Sequence, residues 1–417
     1  MLKEDIKYGK DKKVFNINEK SNYKVLTPKK IKTNKNEADL INNALDNPID
    51  FQIIKDTFKK EDKICIITSD ITRPLPSYKI LPHIVKRLKN IGIKEKNITI
   101  IFALGSHRKH TEKEKEKLVG KKVYDSNINL KDHNIEKCMN LGKCKNNTPV
   151  DVLKDVVKSD RVICLGNIDY HYFAGYSGGM KAIMPGVSSW DAISKNHSNM
   201  IKPEAQTGNL DTNPVRQDID QVLDFVNVDY IFNVVLDTNK NILKAFFGHP
   251  IKAHRKGCKY LDSLYKVEIK NRFDIVIASP GGFPKDINLY QSQKSLDNAK
   301  HATKNYGIII LVAKLNDGFG EEKFKNWMLN KKPDEMIKEL KQNFQLGAHK
   351  AVAIAKVLKN KKVYLISDLD DEVVNEIGFL PFDNVQEALN RAIEVSDENP
   401  NIAYIPSSGT TLPKLKI

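Results

Sequence analysis

The sequence predicts an α/β protein built from two α/β domains, and three observations carry that expectation. Short apolar runs of strand type alternate with amphipathic helical stretches along the chain. Several of those runs end in a polar or glycine-containing cluster, as expected where the strands of an open sheet deliver their carboxyl ends to a ligand. The length, 417 residues, exceeds what one hydrophobic core usually supports.

The elements follow in order. "KICIITSD" reads as a buried strand, "YKILPHIVKRLKNIG" as an amphipathic helix and "NITIIFALGSH" as a second strand. "DRVICLGN" repeats the strand pattern, and "DYIFNVVLDTNKNILKAFFG" reads as a hairpin turning at Asn239. A helical "AHRKGCKYLDSLYKV" leads to polar "EIKNR", after which "FDIVIASPGG", "YGIIILVA", "KKVYLISD" and "NIAYIPSSG" give four strands of a second α/β unit. The boundary is expected near Lys270, with domains at 1–270 and 271–417. The final "SSGTT" could line a pocket or end a strand, and the strand end is the simpler reading.

Composition narrows the function classes. No run approaches the roughly 18 apolar residues of a membrane span, and "MLKEDIKYGKDKK" lacks the apolar centre of a secretory signal, so a soluble cytoplasmic protein is expected. Cys65, Cys138, Cys144, Cys164 and Cys258 are odd in number and scattered, which points to free thiols in a reducing compartment. The net charge of +16 invites a nucleic-acid reading. The lysines, however, alternate with glutamates, as in "TEKEKEKLVGKK", and form no stripe with stacking aromatics, so neither nucleic acid nor membrane is an expected partner.

Four clusters at strand ends are candidates to line one cleft: "TSDITRP", "LGSHRKHT", "GNIDYH" and "SPGGFPKD". His107 suits acid/base work because an imidazole titrates near neutrality, with an exposed loop histidine as the plain alternative; His110, further on, is the weaker candidate. Arg73, with Asp70 three residues before it, suits a carboxylate or phosphate, and an ordinary surface pair is as good a reading. Lys181 follows the turn Ser177-Gly178-Gly179 and precedes an apolar stretch. Burial would tune its amine for covalent work, although lysines more often snorkel from such positions. Gly175, Gly178 and Gly179 permit close backbone approach but match neither a P-loop nor GxGxxG. His197 alone makes no metal site. Tyr290, Gln291 and Lys294 open a helix whose N-terminus would favour anions, and Lys350 is a fainter case of the same kind.

Together, "SDITRPLPS", "ALGSHR", "GNIDYHYFAGYSGGMKAIMPG", "NHSNM" and "GGFPKDINLYQSQKSLDNA" resemble the lactate racemase family, in order and over most of the chain. The resemblance implies a nickel-pincer nucleotide, a pyridinium-3-thioamide-5-thiocarboxylic acid mononucleotide holding Ni(II), built by separate maturation enzymes. It assigns Lys181 to the covalent link, with Ser177, Gly178 and Gly179 beside it, and His197 to nickel, the cofactor bringing the ligands that the histidine lacks. It assigns His107 and His171 as general acid/base groups on opposite faces of a 2-hydroxy acid. Arg73, Gln291 and Lys294 would hold the carboxylate, with Asp70 and Tyr290 as neighbours. The implied reaction inverts the 2-carbon, lactate being the default substrate, by proton abstraction and reversible hydride transfer in a cleft between the domains. The alternatives are a relative acting on a dicarboxylic or sugar acid, or a non-catalytic protein of the same fold that binds an anion or nucleotide. The sequence leaves the oligomeric state undetermined.

Overall fold

Residues 1–29 and 36–416 are described by a computed structural model of the chain. The chain divides into two compact units, a middle unit Ile31–Ser263 and a terminal unit that joins Met1–Lys30 to Leu264–Ile417.

The middle unit is organised around the apolar strand Ile64–Ser69, buried along nearly all its length. Its six-stranded sheet runs in the order 242–248, 230–236, 161–167, 64–69, 98–103, 129–132. All neighbours are parallel except the hairpin pair 230–236 and 242–248. Parallel pairing brings the carboxyl ends of Ile64–Ser69, Ile98–Ala103 and Arg161–Asn167 to one edge, so three of the four clusters singled out in the sequence meet there. The helix Ser77–Asn90 buries Ile80, Leu81, Ile84 and Leu88 on one face, and these join Ile66 and Ile100 of the sheet in a single core. The expected hairpin turns where Asp237 Oδ1 accepts the Asn239 and Asn241 amides at 2.8 Å, with Lys240 at φ 66°.

The terminal unit holds a second six-stranded sheet in the order 380–381, 362–366, 303–312, 273–278, 402–405, 23–25, parallel throughout. The four strands expected from "FDIVIA", "YGIIILVA", "KKVYLISD" and "NIAYIPSSG" are its centre. Here the structure differs from the expected 1–270 boundary, because the first residues pack with the terminal unit. Strand Tyr23–Val25 pairs with Ile402–Tyr404, and the hairpin Leu2–Tyr8/Asp11–Ile17 buries Ile6, Tyr8, Phe15 and Ile17 in the core of Ile275, Ile277, Ile310 and Tyr404. The physical reason is an apolar sheet face that the second half of the chain leaves uncovered.

Among the described residues no helix is long and apolar enough to cross a membrane. All five cysteines are unpaired.

Candidate active site

The loop after Ile64–Ser69 carries Asp70, whose carboxylate is almost fully buried. Its Oδ2 lies 2.7 Å from His107 Nδ1, and the Thr72 hydroxyl donates to Oδ1 at 3.0 Å and to Oδ2 at 2.8 Å. Burial pushes this carboxyl up, but the His107, Thr72 and Arg73 interactions outweigh it and hold the group below the usual carboxylate range. An ionised carboxylate only accepts, so His107 Nδ1 carries the proton and Nε2 is left with its lone pair. Arg73 lies 3.8 Å from Asp70 through Nε, with its side chain 59% exposed, and so keeps most of its donors for something else.

The same loop is pinned from behind by His110. The Ile71 amide donates to His110 Nε2 at 3.1 Å, and His110 Nδ1 in turn meets Asp132 Oδ1 at 2.6 Å. His110 is buried against Phe102, with 5.1 Å between ring centroids, and its role is to hold the backbone that presents Asp70.

The segment after Arg161–Asn167 bears His171, Lys181 and, through the helix Trp190–Ser198, His197. His171 Nδ1 accepts the Ala174 amide at 3.2 Å, so the neutral ring carries its proton on Nε2. Burial, reinforced by Lys181, Arg73, His197 and Arg216, holds this imidazole well below its ordinary range. Phe173 packs edge-on to both histidines, at 4.5 Å from His171 and 4.9 Å from His197. Lys181 Nζ stands 5.8 Å from the centre of the same ring. Burial, with Arg216 and Arg73 adding repulsion, holds the Lys181 amine well below the usual lysine range. Lowering an amine's pKa enlarges its neutral, nucleophilic fraction, which is the form that covalent chemistry uses.

What fixes this loop is Arg216, which no sequence signal singled out. It is fully buried and donates to the carbonyls of Ala174 (3.3 Å), Tyr176 and Gly178 (3.4 Å). Asn213, the N-cap of the same helix, adds a bond to Phe173 O at 2.9 Å. Tyr170 and Tyr176 both donate to Asp262 Oδ1, at 2.9 and 2.7 Å. The available signal was the motif "NPVRQD", a capped helix start whose arginine falls on the buried side.

The glycines read differently in the folded protein. A Cβ on Gly178 (φ +77°) would fall 2.7 Å from Asn233 Oδ1, and one on Gly179 (φ +62°) would fall 2.9 Å from the His254 ring. Close packing against the protein itself therefore accounts for both glycines. The Ser177 hydroxyl is likewise engaged, donating to Asn167 O at 2.7 Å and accepting the Asp169 amide at 2.8 Å.

In the terminal unit, Asn288 caps the helix Leu289–Ala302. Its first-turn amides are already used: Leu289 bonds to Gly318 O, Tyr290 to Phe319 O, Gln291 to Asn288 Oδ1 and Ser292 to Asn288 O. The expected anion preference of this helix N-terminus therefore has no free amide to act through. Gln291 is exposed and Lys294 half-buried. Lys350 donates to Tyr290 O at 2.6 Å and stands 3.8 Å over the Tyr290 ring, which gives the fainter candidate a packing role.

Two family profiles match the chain, one described as the lactate racemase N-terminal domain over residues 8–208 and one as the lactate racemase C-terminal domain over residues 268–411. The chain is 33% identical to the lactate racemase of Thermoanaerobacterium thermosaccharolyticum across 99% of both proteins. It is 30% identical to the lactate racemase of Lactiplantibacillus plantarum across 89% of both. The solved lactate racemase apoprotein of T. thermosaccharolyticum superposes with a TM-score of 0.89 over 99% of this chain and all of that one. A Thermotoga maritima protein shares the fold at 16% identity and a TM-score of 0.63, covering 91% of this chain and 98% of its own.

Proposed function

The chain belongs to the lactate racemase family, and from that premise we propose that this isomerase inverts the 2-carbon of lactate with a covalently held nickel-pincer nucleotide. The observation that carries the proposal is the placement of Lys181 beside Phe173, the same ring that packs against His171 and His197, with burial and neighbouring cations holding its amine well below the usual lysine range.

The residues present fit such a group in two ways. An amine whose pKa is held well below the usual lysine range suits the covalent acyl-type link such a cofactor requires. His197, whose ring packs 4.9 Å from the Phe173 ring that also meets His171 and Lys181, would be the protein's contribution to a metal whose other ligands the cofactor brings. When bound, the cofactor would take the Cα hydride and return it.

The chain's own residues supply the rest. His107 Nε2, bare because Nδ1 faces Asp70, would accept the hydroxyl proton, and Asp70 would stabilise the imidazolium that results. His171, whose neutral ring carries its proton on Nε2, would act from the opposite face and return a proton to the substrate oxygen as the hydride comes back to carbon. Arg73, with its fork largely free of Asp70, would anchor the carboxylate while the centre inverts. Gln291 and Lys294 are proposed as further donors to that carboxylate, with Tyr290 at their side. Ser177, Gly178 and Gly179 would act by fixing the turn that aims Lys181.

The test uses protein matured with the cofactor-building enzymes. A mass increase localised to Lys181, bound nickel, and interconversion of L- and D-lactate that is lost in His107→Ala and His171→Ala would support the reading. Turnover of a dicarboxylic or sugar acid in place of lactate would redirect the substrate, and absence of the Lys181 adduct would overturn the cofactor assignment.

A further inference from the structure

The helix Pro250–Tyr265 packs against the segment that carries Lys181, and its residues enter none of the proposed steps. His254 Nε2 stands 2.9 Å from Ser177 O, and Asp262, two turns further along the same face, takes the Tyr170 and Tyr176 hydroxyls. Between them a Cβ on Gly257 would fall 2.2 Å from Ile168 Cδ1, so the helix lies too close here for any side chain.

His254 is 1% exposed, and its second nitrogen is also engaged. Arg255 Nη1 lies 2.9 Å from His254 Nδ1, and Arg255 Nη2 donates to Asp220 Oδ2. A guanidinium only donates, so Nδ1 accepts and the ring proton sits on Nε2, where it is given to Ser177 O. Asp220 closes the network, because its other oxygen meets Arg216 Nη1 at 3.4 Å, the same nitrogen that holds Gly178 O. A proton added to Nδ1 would face the Arg255 guanidinium. Burial, with Arg216 and Arg255 adding repulsion, holds this imidazole well below its ordinary range.

What this clamp holds is the turn before Lys181. Gly178 and Gly179 stand at φ +77° and +62°, two left-handed residues in succession with no side chain to anchor them. The turn is fixed instead through its carbonyls, Tyr176 O and Gly178 O by Arg216 and Ser177 O by His254. Lys181 follows two residues later, and its own amide bonds back to Gly178 O at 3.4 Å, so the turn sets where the amine starts.

We infer that His254 is a positioning residue for Lys181, locked in one tautomer by Arg255 and Asp220 and holding the Ser177 carbonyl so that the turn aims the amine. The inference rests on the proposed reading of Lys181 as the attachment amine.

Trace acetylation of the full-length, unloaded protein with acetic anhydride across pH, followed lysine by lysine in peptide maps, tests it. Lys181 is half-buried and so open to a small reagent, and the exposed lysines serve as internal references. In the parent, Lys181 is expected to reach half-maximal labelling at a pH well below that of the exposed lysines. His254→Leu should raise that pH by about one unit, which is about tenfold slower labelling of Lys181 at neutral pH, with the reference lysines unchanged. His254→Gln, whose amide donates to Ser177 O and accepts from Arg255, should label Lys181 within about twofold of the parent. A parent Lys181 that labels like the exposed lysines would overturn the attachment reading and the inference with it. A parent-like profile in His254→Leu, or a Gln variant as slow as the Leu variant, would overturn the inference alone. Should His254→Leu fail to fold, Arg255→Leu, at a side chain 26% exposed, decides in its place. About threefold slower labelling of Lys181 there supports the lock, and an unaltered profile overturns it.

Discussion

Replacing Asp70 by asparagine isolates the contact that, in the proposed mechanism, turns His107 into a base. The side chain keeps its size, but the carboxylate that faces His107 Nδ1 at 2.7 Å becomes an amide. The charge-assisted bond contributes about 1.5–3 kcal/mol, which converts to a roughly 10- to 150-fold loss in kcat. If the amide turns its nitrogen toward His107, the imidazole carries its proton on Nε2 instead and the loss grows toward about 10⁴-fold. Progress of lactate inversion, followed by optical rotation with cofactor-loaded enzyme across pH, measures this. A kcat within about twofold of the parent, in a variant that folds and carries the Lys181 adduct, would refute the reasoning and leave Asp70–His107 as a structural pair. The same substitution makes a stability prediction with a definite sign. Asp70 is held below its unfolded value of about 3.9, so its contribution is complete above that value and is lost as pH falls through the lower folded value. The parent should therefore lose Tm more steeply than the Asp70→Asn variant at the acid end.

Three further outcomes follow from the packing. Because the folded Lys181 gives up a proton that the unfolded chain keeps, unloaded protein should gain stability with rising pH up to the ordinary lysine range near about 10.4, and Lys181→Met should flatten that slope in thermal melts. Arg216→Met leaves the carbonyls of Ala174, Tyr176 and Gly178 without their donor and should cost roughly 3–5 kcal/mol in denaturant unfolding. Gly175→Ala puts a Cβ 2.0 Å from Asn209 O at φ +76°, so backbone must move, and the expected loss exceeds about 2 kcal/mol by the same measurement.

Much of the sheet edge that carries the candidate site was legible because its signals are local. The apolar runs Ile64–Ser69, Ile98–Ala103 and Arg161–Asn167 predicted buried parallel strands, and parallel pairing then requires their polar ends to meet. What stayed hidden depends on distant parts of the chain. Nothing near "YKV" says that Tyr23–Val25 pairs with a strand at Ile402, although the alternation in "DIKY" and "KVFNI" around Gly9 was a hairpin signal. The helix start at Leu289 looked open to anions until Gly318 and Phe319, from a later loop, took its amides. Gly178 and Gly179 suggested room for a ligand, whereas their neighbours are Asn233 and His254. Arg216 looked like any arginine in a helix's first turn, because burial of a guanidinium is set by the loop that folds over it.

Whether Lys181 carries a covalent cofactor decides how this protein would invert its substrate. Peptide mass mapping of protein matured with the cofactor-building enzymes, combined with chiral separation of lactate from the same preparation, tests this most directly. The account predicts an added mass on the Lys181 peptide and conversion of either pure enantiomer toward an equal mixture. An unmodified Lys181 in a preparation that still interconverts the enantiomers would contradict it.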